Sequence, residues 1–307
     1  MGSSLLLFKS LYVKAALLGV VPFRFHLYPA SLELRTSLLY YCYLVSVAGP
    51  ITRFLINVSC SLDLTQDFSV LRVTSVIMEC CESVLLMLPV CFFLSRSVKV
   101  CGLFENLKQL HYSSILTGRV QMKSCVRKCF GSCFLYEIAY AMIILMYGLM
   151  SNDMPPILLI PYIPTVVMTT FSRMTLMMIM YGSGQYFLII IQTINEMLLP
   201  NRQTATEWTH LGLMNLYQKL WKCSHYFNVL FGFPLVCYIL LVFLHTTTVF
   251  YVLLSIFVLG KKDFTVTEGL LALAEIVWVF YDVFYVMLII GTCSLVQDEF
   301  FVLLEPD

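Results

Sequence analysis

The 307-residue sequence predicts an all-α integral membrane protein: a single polytopic domain over 1–307 with six transmembrane helices, a cytoplasmic N-terminus and cytoplasmic helical extensions. Three observations predict it. Hydrophobic residues make up 60% of the chain and charged residues 12%, where a soluble domain carries about a quarter charged residues. Six apolar segments are each long enough to cross about 30 Å of hydrocarbon, which takes roughly 20 helical residues. The Lys and Arg residues outside those segments divide 14 to 2 between alternate loops.

The segments lie near 38–58, 70–94, 131–151, 156–180, 229–257 and 269–293. Lys9, Lys14, Arg24 and Arg35 precede the first. Arg96, Lys99, Lys108, Arg119, Lys123, Arg127 and Lys128 lie between the second and third, and Arg202, Lys219 and Lys222 between the fourth and fifth. The opposite side holds only Lys261 and Lys262. Basic residues near span ends resist translocation, so the N-terminus is expected inside. An even number of spans returns the C-terminus to the same side.

Taken in order, residues 5–21 are apolar but interrupted by Lys9 and Lys14, and no small-residue cleavage site follows. They read as a cytoplasmic or interfacial helix leading to Pro22 rather than a signal peptide. Span four, with Pro161, Pro164, Gly182 and Gly184, reads as broken. Span five is over-long and must tilt or project from the bilayer. Two cytoplasmic segments, 98–128 and 206–228, carry helical stripes: Val100, Leu103, Phe104, Leu107 and Leu110 in one; Trp208, Leu211, Met214, Tyr217, Leu220, Trp221 and Phe227 in the other. They are expected to project below the membrane, continuous with spans two and five, with their apolar faces against each other or another subunit. Amphipathic helices lying on the membrane surface are the alternative. The outer loops, 152–156 and 259–268, are too short to form an extracellular domain. The sequon Asn57-Val58-Ser59 abuts span one too closely to be expected to carry a glycan.

The 12 cysteines imply neither a disulfide framework nor a metal site. Only Cys60 falls clearly near the outer face, so an extracellular disulfide has no partner there. Cys125, Cys129 and Cys133 recur every four residues, but no histidine completes a set and the spacing fits no zinc pattern; packing or palmitoylation explains them better. A net charge of +1 gives no argument for nucleic acid. No His-Glu-x-x-His helix, Walker loop or Gly-x-Ser-x-Gly elbow occurs, so no enzyme, cofactor or metal is expected.

Ionisable groups at membrane depth are costly and mark functional positions by default. Glu79 and Glu82 are three apart on span two; Arg173 lies deep in span four, His245 in span five, and Glu275 and Asp282 seven apart on span six. Counting about 1.5 Å per residue from the span ends, Glu79, Glu82, His245 and Asp282 fall at mid-depth. The available pairings are Arg173 with Glu79 or Glu82, and His245 with Asp282. Three readings of this layer are open: the lining of a small-ligand cavity, buried pairs that hold the bundle together, or a proton relay. Tyr162, Phe171 and Tyr251, with Phe250, would supply aromatic walls in the outer halves of spans four and five, though aromatics there also face lipid. The candidate ligand-binding set is therefore Glu79, Glu82, Tyr162, Phe171, Arg173, His245, Tyr251, Glu275 and Asp282.

Gly19-x-x-Pro22-Phe23-x-Phe25 before span one, Tyr217-x-Lys219-Leu220 with His225 and Asn228 before span five, Phe280-Tyr281-Asp282 in span six and Cys293-Ser294-Leu295 at its end occur in this order on an N-inside chain. In this the sequence resembles the insect gustatory receptors, most closely the divergent fly subfamilies associated with bitter compounds. The resemblance implies seven spans, a tetramer with like or other receptor subunits, ligand-gated cation conduction and a pocket for a small tastant in each subunit's outer half. It also implies a pore lined by the seventh span, cytoplasmic helices that join the subunits, and the plasma membrane of sensory neurons, with lipid as a further partner. The family's Thr-Tyr…Gln-Phe signature of the seventh span does not occur in these residues, so the resemblance implies truncation before that span and no conduction from a homotetramer of this chain alone.

A G-protein-coupled receptor is the conventional alternative. It calls for the opposite orientation, a Glu/Asp-Arg-Tyr triplet and Asn-Pro-x-x-Tyr, none of which is found. A small-solute transporter is the third class and calls for internal pseudo-symmetry, of which no repeat is visible.

Overall fold

The computed structural model describes residues 13–27, 30–62, 70–111, 135, 138–139, 142, 156–198, 207–259 and 266–304. The described residues begin with helical residues 13–17, followed by a turn at Gly19, whose φ of 71° lies in the left-handed region that favours glycine. A two-stranded antiparallel hairpin follows, β1 (Phe23–Leu27) against β2 (Ala30–Leu34), with Phe23 opposite Leu34. The rest of the described fold is helical, as the all-α expectation has it, and this short hairpin is an addition to it. Phe23 is buried and Leu34 packs on the core, so the pair ties the start of the chain to the bundle.

Helices make up the rest: α1 (Thr36–Leu62), α2 (Val70–Ser95), α3 (Ser97–His111), α4 (Pro156–Leu198), α5 (Glu207–Leu259) and α6 (Val266–Leu304). Stretches of α1, α4, α5 and α6 are each long and apolar enough to cross a membrane. In the region of the second expected span, Cys80–Ser95 of α2 and Ser97–Leu107 of α3 together are long and apolar enough, as a pair bent by 65°. The third expected span, 131–151, lies outside the described residues except for four helical positions, Leu135, Ile138, Ala139 and Met142, all exposed.

Two expectations about continuity meet different outcomes. The segment 206–228 and span five form one helix, α5, whose 53 residues reach about 80 Å. The segment beginning at 98 is not continuous with span two. The backbone breaks at Arg96, whose guanidinium turns back over the Phe92 ring at 4.5 Å, and Lys99 N–H donates to the Arg96 carbonyl at 2.8 Å. After the bend, α3 lies against the first half of α5, burying Val100, Leu103, Leu107 and Leu110.

Span four is not broken. α4 runs unbroken through Pro161, Pro164, Gly182 and Gly184. Both prolines sit in its first three turns, and the Thr165 hydroxyl donates to the Pro161 and Tyr162 carbonyls at 2.9 and 2.8 Å, the kind of local repair that lets proline stand in a membrane helix. Gly184 marks a close approach: a Cβ there would lie 3.1 Å from Thr292 Cγ2 on α6. Gly49 on α1 does the same against Thr169 Cγ2 of α4, at 3.0 Å. Small residues let membrane helices pack this closely.

α4 is the central helix. It is apolar on nearly all sides, and Leu176, Met177, Met178, Met180 and Tyr181 are all buried in succession or one residue apart, as expected of a helix surrounded by others. α1 and α6 pack on it, α2 joins α1 to α5, and α5 closes on α6. α1, α5 and α6 keep exposed apolar faces, among them Leu44, Leu240, Phe243, Phe280 and Met287.

Candidate ligand site in a buried charge layer

Five of these helices place one ionisable side chain each at a common level. Arg53 of α1 holds Glu82 of α2 at 2.9 Å, Nη1 to Oε1. The same Oε1 faces Nε2 of His245 on α5 at 3.2 Å. The other ring nitrogen, Nδ1, lies 3.6 Å from Asp282 Oδ2 on α6, and Asp282 Oδ1 accepts from Arg173 Nη2 of α4 at 3.1 Å. The order Arg53, Glu82, His245, Asp282, Arg173 is thus a chain of neighbours with guanidinium groups at both ends and an imidazole between two carboxylates.

The local sequence explains how each group is held. Trp278 and Asp282 are four apart on α6 and so share a face. Trp278 supplies a ring beneath the Arg173 guanidinium, 4.5 Å from Cζ, while Asp282 takes one of its N–H groups. A cation over an indole face is held electrostatically as well as by packing. Tyr238, seven residues before His245 on α5 and so on the same face, donates from its hydroxyl to the Arg173 carbonyl at 3.4 Å. Arg173 and Asp282 are each 2% exposed, which makes theirs the most deeply enclosed ion pair among the described residues. The layer is not fully satisfied. Arg173 Nε, His245 Nδ1 and Asp282 Oδ2 are buried without a hydrogen-bond partner. The last two face each other at 3.6 Å, just beyond hydrogen-bond length, so Arg173 Nε is the donor without a facing carboxylate and the imidazole–carboxylate contact is a loose one; loosely met polar groups are expensive in a low-dielectric interior.

The sequence-predicted residues divide clearly. Glu82, Arg173, His245 and Asp282 come together, and His245 does face Asp282. Arg173, expected to pair with Glu79 or Glu82, pairs with Asp282 instead, because α4 packs directly on α6 and Arg53 already occupies Glu82. The Glu79 and Glu275 side chains lie outside the described residues. Phe171 does not line the layer; its ring lies under Lys14 Nζ, 5.7 Å away, at the amino-terminal turn. Tyr162 is half-buried near the start of α4, and Tyr251 is exposed on α5 beside exposed Phe250 and Leu254. Sequence reasoning passed over Arg53, Tyr238 and Trp278. Arg53 was findable, since it lies well inside the apolar segment 38–58 and meets the same criterion as Arg173. Nothing in the sequence distinguishes Trp278 or Tyr238 from the other aromatics of these helices. Among the described residues no group of His, Cys, Asp and Glu side chains is arranged to hold a metal ion; Cys125, Cys129 and Cys133 lie outside them.

A second polar contact lies further along α4 and α6. Gln185 donates to Thr292 at 2.7 Å; one heptad further along Gln192, and a turn beyond it Asn195, donate to the two carboxylate oxygens of Glu299 at 3.0 and 2.7 Å. The Asn195 amide also donates to the Glu299 backbone carbonyl at 3.1 Å.

Apolar helices of membrane-crossing length around a buried charge layer define a multi-pass helical membrane protein with a polar interior. The chain matches the 7tm chemosensory receptor family over residues 8–300 and belongs to that family. No curated protein matches it.

Proposed function

We propose that the chain is a chemosensory receptor subunit of the gustatory, ligand-gated cation channel type, and that the polar side of a small tastant meets the layer of Glu82, Arg173, His245 and Asp282, with Arg53 as their partner. The observation that carries this reading is a buried charge layer that is incompletely hydrogen-bonded in an otherwise apolar bundle: Arg173 Nε has no acceptor, and His245 Nδ1 and Asp282 Oδ2 face each other only at 3.6 Å. A buried ion-pair layer that served only to fasten helices would gain little over apolar packing of the same volume. A small amphipathic molecule, bitter compounds included, has the apolar body and single polar group that such a site suits. Glu79 and Glu275 belong to the same proposal by their spacing on α2 and α6; Tyr162, Phe171 and Tyr251 stand away from the layer and contribute less.

The same proposal places the protein in the plasma membrane of a sensory neuron, N-terminus inside, as a homo- or hetero-tetramer with other receptor subunits. Expression with candidate partner subunits in cultured cells, under a panel of small amphipathic compounds, tests it. A compound-evoked cation current that disappears in Arg173→Gln and His245→Leu variants that still reach the cell surface is expected. Saturable uptake of the compound without current would point to a transporter. A response that needs a G protein, with the N-terminus accessible from outside, would point to the conventional receptor class.

A further inference from the structure

The helical turn at 13–17 ends with three successive carbonyls that cannot be used within it. Each is met by a hydroxyl from a different place in the bundle. Tyr41 on α1 donates to Leu17 O at 3.0 Å, Ser172 on α4 donates to Leu18 O at 2.9 Å, and Ser46 on α1 donates to Gly19 O at 3.3 Å. Several threonine hydroxyls are used differently. Thr169, Thr193, Thr246 and Thr292 all turn back onto carbonyls of their own helices, four residues earlier. Ser46 and Ser172 instead reach across to the amino-terminal turn. The Ser46 bond is buried and the Ser172 bond part-buried, while the Tyr41 bond lies at the exposed edge; a carbonyl enclosed in an apolar bundle has no water to bond, so Ser46 and Ser172 above all fix where the turn sits.

Apolar contacts fix it further. Ala15, Val20, Val21 and Phe23 are buried, and a Cβ at Gly19 would stand 3.1 Å from Val45 Cβ. The segment is therefore a strap laid into the groove between α1 and α4. On α4 it engages two consecutive residues, Phe171 through Lys14 and Ser172 through Leu18. The next residue is Arg173.

We infer that the amino-terminal turn is the positioning element for Arg173: it holds α4 at the depth and rotation that lay the guanidinium on Trp278 and against Asp282. Tyr41, Ser46 and Ser172 act through the strap and touch neither member of that pair. The inference stands on these hydrogen bonds and contacts and is independent of what the charge layer binds.

Trp278 is the reporter. The chain has 3 tryptophans, so W208F/W221F leaves Trp278 as the single indole, with emission that depends on the cation over its face. The purified full chain in lipid nanodiscs carries Y41F/S46A/S172A, or Arg173→Gln for calibration. The hydroxyl-free variant is expected to shift the Trp278 emission to the Arg173→Gln value, while Ser172→Thr, which keeps a hydroxyl, leaves it at the parent value. Emission unchanged in the hydroxyl-free variant overturns the inference, as does an equal shift in Ser172→Thr. The apparent melting temperature gives a second reading that needs no fluorescence. Asp282→Asn should lower it much less in the hydroxyl-free background than in the parent, because Arg173 has already left the carboxylate. Equal losses in both backgrounds would show that the strap and the ion pair are unconnected.

Discussion

Glu82 on α2 presents a single carboxylate oxygen, Oε1, to His245 on α5 at 3.2 Å while the same oxygen holds Arg53 at 2.9 Å. The imidazole is thus the link between an α1–α2 ion pair and an α4–α6 ion pair. His245→Leu removes the link and leaves both pairs in place. It is expected to cost roughly 1–3 kcal/mol, the range for leaving buried polar groups unmet. The sharper expectation is a change in coupling. Glu82→Gln and Asp282→Asn should be non-additive with His245 present and additive in the leucine variant. Reversible unfolding in mixed micelles measures both, and additivity in the parent would remove the link.

Arg173 and Asp282 are expected to behave as a pair whose halves are worth more than the whole. Arg173→Met strands the Asp282 carboxylate in a site 2% exposed, a loss of about 3–5 kcal/mol for a buried pair broken on one side. Arg173→Met combined with Asp282→Leu should recover most of that stability, since apolar side chains of similar volume fill the same space. A double variant as unstable as the sum of the singles would mean that the pair contributes net stability.

The close approach of α1 to α4 gives a test by compensation. Gly49→Ala places a Cβ 3.0 Å from Thr169 Cγ2, and overpacking of this kind costs about 1–3 kcal/mol. Thr169→Ser deletes that methyl but keeps the hydroxyl that bonds to the Thr165 and Val166 carbonyls. The G49A/T169S combination should melt close to the parent. No recovery would place the clash elsewhere.

At the far end of α4, Glu299→Ala removes the carboxylate that accepts from the Gln192 and Asn195 amides and leaves Asn195 the backbone carbonyl at 299. A destabilisation of roughly 1–3 kcal/mol is expected, smaller in Glu299→Gln, which keeps one carbonyl oxygen. Limited proteolysis of the α6 end should report the same order. Equal resistance in all three proteins would show that the contact holds nothing.

Which residues belong to the charge layer was largely legible in the sequence; how they pair was not. An ionisable side chain inside an apolar segment is conspicuous, and that criterion alone selects Glu82, Arg173, His245 and Asp282. Pairing depends on how each helix is rotated and which neighbour it packs against. Arg173 was therefore given the wrong carboxylate, and Arg53, which occupies the right one, was overlooked. The helical stripe from Trp208 to Phe227 leads without interruption into span five, and α5 is accordingly one helix. The stripe from Val100 to Leu110 looks the same in sequence, yet α3 turns away at Arg96, because a bend is decided by what the far side packs on. The hairpin at 23–34 and the strap before it were invisible for a related reason. Carbonyls at 17, 18 and 19 carry no signature in a sequence, and their donors lie as much as 154 positions away.

α4 carries the strap contact at Ser172, the guanidinium at Arg173 and, about 33 Å further along at 1.5 Å per residue, the Asn195 contact with Glu299. No break interrupts the helix between them. A rod of that kind cannot absorb a displacement locally. If the polar group of a ligand draws Arg173 away from Asp282, the same translation or rotation arrives at Asn195 undiminished, and the Glu299 contact must slide, swap partners or part. The chain thus has a shaft along which a small movement deep in the bundle is read at the far end of α6.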